Sequence, residues 1–261
     1  MREETLNLLC NPYKGEPFTR NGNTLVGVAS SQTFQIRDGI PVILAEEGMR
    51  GRNRTSKFLH DTWAFGYDAI VSLGDKIQLN SEQIVREKYI AALNLASGTK
   101  VLETAAGTAS NLFHLPESAE YYGLDISYQM LKRARRKAKA AGREIELVQA
   151  DAAHIPFRDE TFDLVFQMGG LQFVEDPFKS ISEMARVASP GASIHIVDEI
   201  GGAIRTLSRL PAHQKYAADQ QSALEGIKRL APQGMLDIAS QIIEKTDFYA
   251  LSFQKPALPG M

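Results

Sequence analysis

Three carboxylates stand where they could hold one ligand: Glu103, Asp125 and Asp151. Each closes or follows a short apolar run, and each is followed by small residues or a helix start. Glu103 leads into Thr104-Ala105-Ala106-Gly107-Thr108-Ala109. Small residues let a ligand approach the backbone, and amides at a helix start point outward. An acid before such a turn repels a phosphate. It suits a ligand with a positive charge, such as an α-amino group or a sulfonium. Asp125 follows the turn by about twenty residues, the spacing of a carboxylate that grips a ribose diol. Two acceptor oxygens match two vicinal hydroxyls. Nicotinamide-dinucleotide proteins use the same device, so this acid alone does not separate the two cofactor classes.

The elements that must carry these acids are legible around them. Lys100 to Thr104, Glu120 to Asp125, Ile145 to Gln149 and Asp163 to Met168 read as strands, with a further strand over Ser193 to Asp198. Ser127 opens a helix whose first turn carries Met130 and Leu131. Phe178 to Val187 is amphipathic, and Ala188 to Ala192 reads as a turn. Ser81, as an N-cap, begins a helix running to Asn94. Leu207 to Leu230 reads as a helical region. A sixth strand starts at Gln233 to Leu236, and Phe248 to Pro256 is a seventh. Strands that alternate with helices predict an α/β sheet.

The ordered series resembles the class I S-adenosylmethionine (SAM) dependent methyltransferases, of the methyltransferase type 11 or quinone-biosynthesis kind. Their first motif is hydrophobic-hydrophobic-acid-x-Gly-x-Gly-x-Gly. Here Glu103 is the acid and Gly107 the central glycine, while Ala105 and Ala109 replace the outer glycines. The resemblance implies a Rossmann-like, seven-stranded, mostly parallel sheet with helices on both faces. It implies SAM as cofactor, held by Glu103, Ala105, Gly107, Asp125, Ile126, Met130, Asp151, Ala152 and Gln167. Asp151 would accept from the adenine amino group, the following amide would meet a ring nitrogen, and Met130 would pack on the base. Gln167 would lie beneath the methyl-donor sulfur. The Asn/Asp-Pro-Pro-Tyr motif of exocyclic-amine methylation is missing, and so is the histidine that many relatives carry near the position of Gln172. No catalytic residue is assigned. His213 is the candidate base if the acceptor must lose a proton, and Gln172, Tyr216 and the aromatic pair Trp63 and Tyr67 are pocket candidates. His195 reads as a packed core histidine.

Residues 1–46 read as a small β-rich module with strands at Thr24 to Val28, Thr33 to Ile36 and Val42 to Leu44. The segment Phe34 to Pro41 is similar to the zinc-ribbon-like module found ahead of many methyltransferase domains. The ligand positions fall on Cys10, Tyr13, Gly27 and Ser30, so one sulfur remains where a structural zinc takes about four Cys or His ligands. A metal-free relic is expected, held by Leu8, Phe34, Ile36, Ile40 and Val42, with Cys10 inert. Residues 47–98 read as a linker and a helical lid, and 99–261 as the catalytic core.

Composition bounds the function. A chain of 261 residues with net charge −2 argues against a dedicated nucleic-acid surface, while leaving room for a local basic patch. The basic run Lys132 to Lys137 suits the solvated face of a helix. One cysteine and no long apolar run fit a cytoplasmic protein with no membrane span. The leading expectation is a methyltransferase acting on a small-molecule or lipophilic acceptor. An RNA methyltransferase and a non-catalytic SAM-fold scaffold are the alternatives, the latter because two alanines stand in the glycine turn.

Overall fold

The computed structural model describes residues 1–44, 82–93, 95–201 and 220–257. Trp63, Tyr67, Ser81, His213 and Tyr216 lie outside the described residues, as does most of the helical region expected over Leu207 to Leu230.

Five short strands open the chain after a helix, α1 (Glu3–Leu8): β1 (Cys10–Asn11), β2 (Glu16–Asn21), β3 (Thr24–Gly27), β4 (Thr33–Arg37) and β5 (Ile40–Ile43). A helical stretch with wide turns follows, α2 (Arg86–Ile90). Then come β6 (Lys100–Thr104), β7 (Glu120–Asp125), α3 (Tyr128–Ala140), β8 (Glu146–Ala150), β9 (Phe162–Met168), α4 (Pro177–Val187), β10 (Ala188–Glu199), α5 (Gln220–Lys228), β11 (Leu236–Ile242) and β12 (Phe248–Gln254). The strands lie in the order β1-β2-β3-β4-β5-β8-β7-β6-β9-β10-β12-β11. From β8 through β10 neighbours run parallel, and β12 lies antiparallel between β10 and β11. β5 joins β8 in parallel, pairing Val42 with Gln149 and Ile43 with Ala150, so the N-terminal strands extend the same sheet.

The central strands are buried along nearly their whole length, as expected of parallel strands covered on both faces. One core face holds Leu102, Tyr122, Leu124, Val165 and Ile196, under α4 and α5. The other holds Val101, Tyr121, Leu164, Phe166 and Val197, with Val85 and Ile90 from the α2 region and Leu131 and Ala134 from α3. Helix starts use local chemistry. The Ser127 hydroxyl accepts from the Met130 amide, and Asp176 caps α4 by accepting from Lys179, with Pro177 in the first turn.

Some local expectations change. The small-residue turn leads into a single tight 3₁₀ stretch, Ser110–His114, rather than an α-helix. Residues Ala188 to Ala192 belong to β10, irregular between Ala188 and Ser193, because the chain pairs with β9 on both sides of Gly191. α1 and β2 were not legible as a helix and a strand. The basic run of α3 is partly engaged: Lys137 Nζ donates to Ser110 Oγ at 3.0 Å and Thr108 Oγ1 at 3.3 Å.

In the N-terminal strands, Phe34, Ile36 and Ile40 are buried, and Leu8 and Val42 half-buried. Cys10 is half-buried and free, its thiol pKa raised by burial. An unexpected carboxylate organises this corner. Glu16 accepts from Asn11 Nδ2 (3.1 Å), the amides of Ala29 (2.5 Å) and Ser30 (2.8 Å), and the Ser30 hydroxyl. A Cβ at Gly27 would run into the same carboxylate. Four donors hold the Glu16 pKa down at about 2, against 4.5, with the Ser30 hydroxyl the largest cause. Stability from a depressed carboxylate is complete above its unfolded pKa and lost as pH falls through the folded one. Glu16→Gln is therefore expected to unfold at lower urea than wild type at pH 7, with the gap narrowing from pH 4.5 to 2. Urea melts across that range would check it, and a pH-independent gap would refute it.

Candidate functional site

Because β6 to β9 run parallel, Thr104, Asp125, Ala150 and Met168 finish at one edge of the sheet. The segments that follow them line that edge. Crevices at the carboxyl ends of such strands are where α/β sheets bind ligands.

The turn after β6 is held open by its backbone. Ala105 (φ +53°), Gly107 (+54°) and Ala109 (+53°) are all left-handed. That conformation costs an alanine about 1 kcal/mol more than a glycine. The alanines thus keep the turn that glycines would adopt freely. The Ala106 amide donates to Leu124 O at 2.9 Å and the Ala109 amide to Ala106 O at 2.8 Å. A Cβ built on Gly107 would meet nothing within 4 Å, so this part of the turn borders open space.

Asp125 accepts from the Gly107 amide (2.8 Å) through Oδ2 and from the Ser127 amide (2.8 Å) through Oδ1. It thereby ties the turn to the start of α3. Ile126 is half-buried, and its carbonyl accepts from Gln149 Nε2 at 2.8 Å. Met130 is buried one turn along α3. Asp151, 6% exposed, accepts from the Ala153 amide at 2.9 Å and lies 3.3 Å from His154 Nδ1. Ala152 is buried beside it.

Glu103 turns to the opposite side of β6 from Thr104 and is 1% exposed. Its Oε1 accepts from Asn111 Nδ2 at 2.7 Å and its Oε2 from the Tyr121 hydroxyl. Arg86 Nε donates to Asn111 Oδ1 at 3.0 Å, adding a cation one step away. Burial pushes the carboxyl pKa up to about 7, against the opposing pull of Tyr121, Asn111 and Arg86.

The residue most out of balance is Gln167. It is fully buried at the end of β9, and neither Nε2 nor Oε1 has a hydrogen-bond partner. Thr104, its register partner on β6, is also fully buried with an unpartnered hydroxyl. An unpaired buried polar group costs about 1–3 kcal/mol. Two side by side at the ligand edge of a sheet call for a functional explanation. Gly170 completes this corner: a Cβ there would lie 2.6 Å from Ala105 Cβ and 3.0 Å from Gln167 Nε2.

Asp198 was legible only as a strand end. It is 2% exposed and accepts from the Leu171 amide at 2.9 Å and the Glu199 amide at 2.8 Å, pinning the 171–173 turn against β10. Burial raises its pKa to about 6. Its aspartate at a strand end was the available signal, but its direction depends on where the 171–173 turn lies. His195 sits away from this edge, mid-strand on β10, with Nδ1 2.9 Å from the Tyr89 hydroxyl. Burial lowers its pKa to about 4.

The structure thus gathers Ala105, Gly107, Asp125, Ile126, Met130, Asp151, Ala152 and Gln167 along one edge. Glu103 lies just behind the turn. Among the described residues no cluster of three or more His, Cys, Asp or Glu could hold a metal. No described helix is long and apolar enough to cross a membrane.

Comparison with known proteins bears on this edge. A family profile described as "Methyltransferase domain" matches residues 102–196. A phosphatidylethanolamine N-methyltransferase from Cereibacter sphaeroides is 34% identical over 163 residues, 60% of this chain and 78% of that protein. A demethylmenaquinone methyltransferase from Anoxybacillus flavithermus is 40% identical over 114 residues, 42% of this chain and 48% of that one. The chain thus spans about half the length of that second relative. Among solved structures, the [4+2]-cyclase SpnF superposes with TM-score 0.60 at 14% identity, over 79% of this chain and 97% of SpnF. A SAM-dependent methyltransferase from Aquifex aeolicus superposes with TM-score 0.50 at 18% identity, over 72% of this chain and 97% of its own. These two likenesses are of fold: a mixed sheet of many strands with helices on its faces.

Proposed function

Because the chain belongs to the SAM-dependent methyltransferase family, we propose that it binds SAM along the strand-end edge and passes the methyl group to a lipophilic acceptor. The observation that carries the reading is Gln167, an amide buried without a partner against the open small-residue turn. The residues fit the cofactor on that ground. A polar, partly cationic ligand end suits an unpaired carboxamide oxygen and the unpaired Thr104 hydroxyl, while the left-handed turn leaves backbone within reach.

In this reading each residue has a physical task. Asp125 offers acceptor oxygens to a vicinal diol, held in place by the Gly107 and Ser127 amides. Ile126 and Met130 provide an apolar wall for a base, and Asp151 with the Ala152 amide reads the base edge. Ala105 and Gly107 shape the turn around the amino-acid portion. Glu103 supplies negative potential behind it, since a nearby cation favours the charged form of a carboxyl whose pKa is about 7. SAM supplies an electrophilic methyl on a sulfonium. The protein's part is alignment. Near-attack positioning of donor and acceptor supplies much of a barrier reduction. No general base is assigned.

The acceptor class rests on the names of the two relatives, one acting on a phospholipid and the other on a menaquinone precursor. The remainder of the reading is a seven-stranded core over 99–261, a lid within 47–98, and a metal-free ribbon relic over 1–46. β6 to β12 number seven and support the first of these. The Glu16 cluster, in contact with Ser30 and facing Gly27, supports the last.

The test is titration calorimetry with S-adenosylhomocysteine and SAM. Micromolar binding is expected in wild type, with at least a tenfold loss in Asp125→Ala, about 1.4 kcal/mol or more. Methyl transfer from labelled SAM to phosphatidylethanolamine vesicles or to a demethylated quinol would identify the acceptor. A folded wild type that binds neither nucleoside overturns the proposal.

A further inference from the structure

The N-terminal strands reach into the proposed cofactor edge. The loop 151–158, which begins with Asp151, is stitched to the start of the chain. The Cys10 amide donates to Pro156 O at 3.1 Å, the Arg158 amide donates to Leu8 O at 2.9 Å, and Leu9 pairs with Phe157. Tyr13, in the turn after β1, brings its ring within 5.2 Å of the His154 ring, at 35°. On its other side it stacks on Phe34 at 6.4 Å. His154 is thus backed by an aromatic wall that belongs to the N-terminal strands.

The His154 ring is also polarised. Its Nε2 meets Lys179 Nζ, from the first turn of α4, and its Nδ1 lies 3.3 Å from Asp151 Oδ2. A lysine ammonium only donates, so Nε2 accepts and Nδ1 carries the proton that points at Asp151. The other oxygen, Oδ1, takes the Ala153 amide. Both carboxylate oxygens are thereby oriented from their own side of the loop. Orienting partners of this kind fix the ligand-directed lone pairs of the group they hold.

We propose that Tyr13, His154 and Lys179 form a positioning relay through which the N-terminal strands set the Asp151 carboxylate for recognition of the exocyclic amino group of adenine. The inference rests on the SAM reading of the edge. It adds that residues 1–44 are part of the cofactor site and not a separate appendage to it. The contact of Tyr13 with His154 is between rings.

The test separates base reading from general integrity. S-Adenosylhomocysteine carries an amino group at the base's six position, and S-inosylhomocysteine carries a carbonyl there. A fixed carboxylate accepts from the first and repels the second. Calorimetry on full-length protein should give a clear wild-type preference for the adenosyl compound. Tyr13→Ala and Lys179→Met should each weaken the adenosyl compound about tenfold and leave the inosyl compound nearly unchanged, collapsing the preference. Tyr13→Phe should restore it. In turnover, KM for SAM should rise with kcat held. Lys179 is exposed, so Lys179→Met tests the relay even if Tyr13→Ala fails to fold. A wild type that binds neither compound removes the SAM reading and this inference with it. A wild type that discriminates, together with a folded Lys179→Met that discriminates equally, overturns the relay alone. Equal weakening of both compounds would also overturn it, as a structural effect.

Discussion

Replacing Glu103 with alanine is expected to destabilise the protein by about 3 kcal/mol at pH 5, while glutamine at the same position is tolerated. The alanine leaves the Tyr121 hydroxyl and Asn111 Nδ2 without their acceptor inside the core, and each orphaned group costs about 1–3 kcal/mol. Glutamine keeps an oxygen for Asn111, and its amide can donate to a reoriented Tyr121 hydroxyl. The two variants also differ from wild type in pH response. The carboxyl pKa is about 7 in the folded chain against 4.5 in the reference state, chiefly through burial. The native state therefore keeps a proton that the unfolded chain releases between those values. Stability from this group is complete below pH 4.5 and falls as pH rises to about 7, by up to about 3 kcal/mol. Urea unfolding of wild type should weaken over that interval, and Glu103→Gln should remove that part of the slope. Asp198 titrates in the same direction but is common to both proteins, so their difference isolates Glu103. Parallel profiles for the two would show that Glu103 is charged throughout.

Gly170→Ala should be the most damaging single methyl at the proposed site. The backbone there has a negative φ (−142°), outside the left-handed region, so the expected cost is steric. The added Cβ would lie 2.6 Å from Ala105 Cβ and 3.0 Å from Gln167 Nε2. Forced crowding of this kind costs about 1–3 kcal/mol. Relief can come only from movement of the turn or the amide, the two features proposed to meet the cofactor. At least a tenfold loss of S-adenosylhomocysteine affinity is expected beside the loss of stability. Ala105→Gly should itself be neutral to stabilising by about 1 kcal/mol, since the residue sits at φ +53°. Combined with Gly170→Ala it should recover most of the affinity, because it deletes the group that collides. A double-mutant cycle read by calorimetry and thermal melting checks this coupling. Additive losses would place the damage elsewhere.

That pair also addresses the scaffold alternative raised by the two alanines. Ala105 and Ala109 adopt the same left-handed turn a glycine would, so the substitution alters strain and crowding rather than the path of the chain.

Much of the site was open to reading in one dimension. Asp125 and Asp151 end strands that the apolar runs already mark, and a strand-turn-helix unit carries its own local signals in Ser127 and Gly107. The order in which the core strands lie, β8-β7-β6-β9-β10, depends on which units meet in space. Other features depend on which distant segments meet. Glu16 is an ordinary surface-type residue until the chain brings Ala29, Ser30 and Asn11 around it. Gln167 was placed at the end of a strand and in the cofactor site by the resemblance, but its unpaired state is a property of burial that the sequence does not carry. Asp198 points inward only because the 171–173 turn lies beside it. The union of β5 with β8, and with it Tyr13 against His154, joins residues more than a hundred positions apart. Local propensity and spacing depend on neighbours along the chain, so the sequence by itself determined the motifs and their order, and the family resemblance those motifs carry implied the cofactor class. Burial, orphaned hydrogen bonds and long-range pairing depend on neighbours in space, and only the tertiary structure decided them.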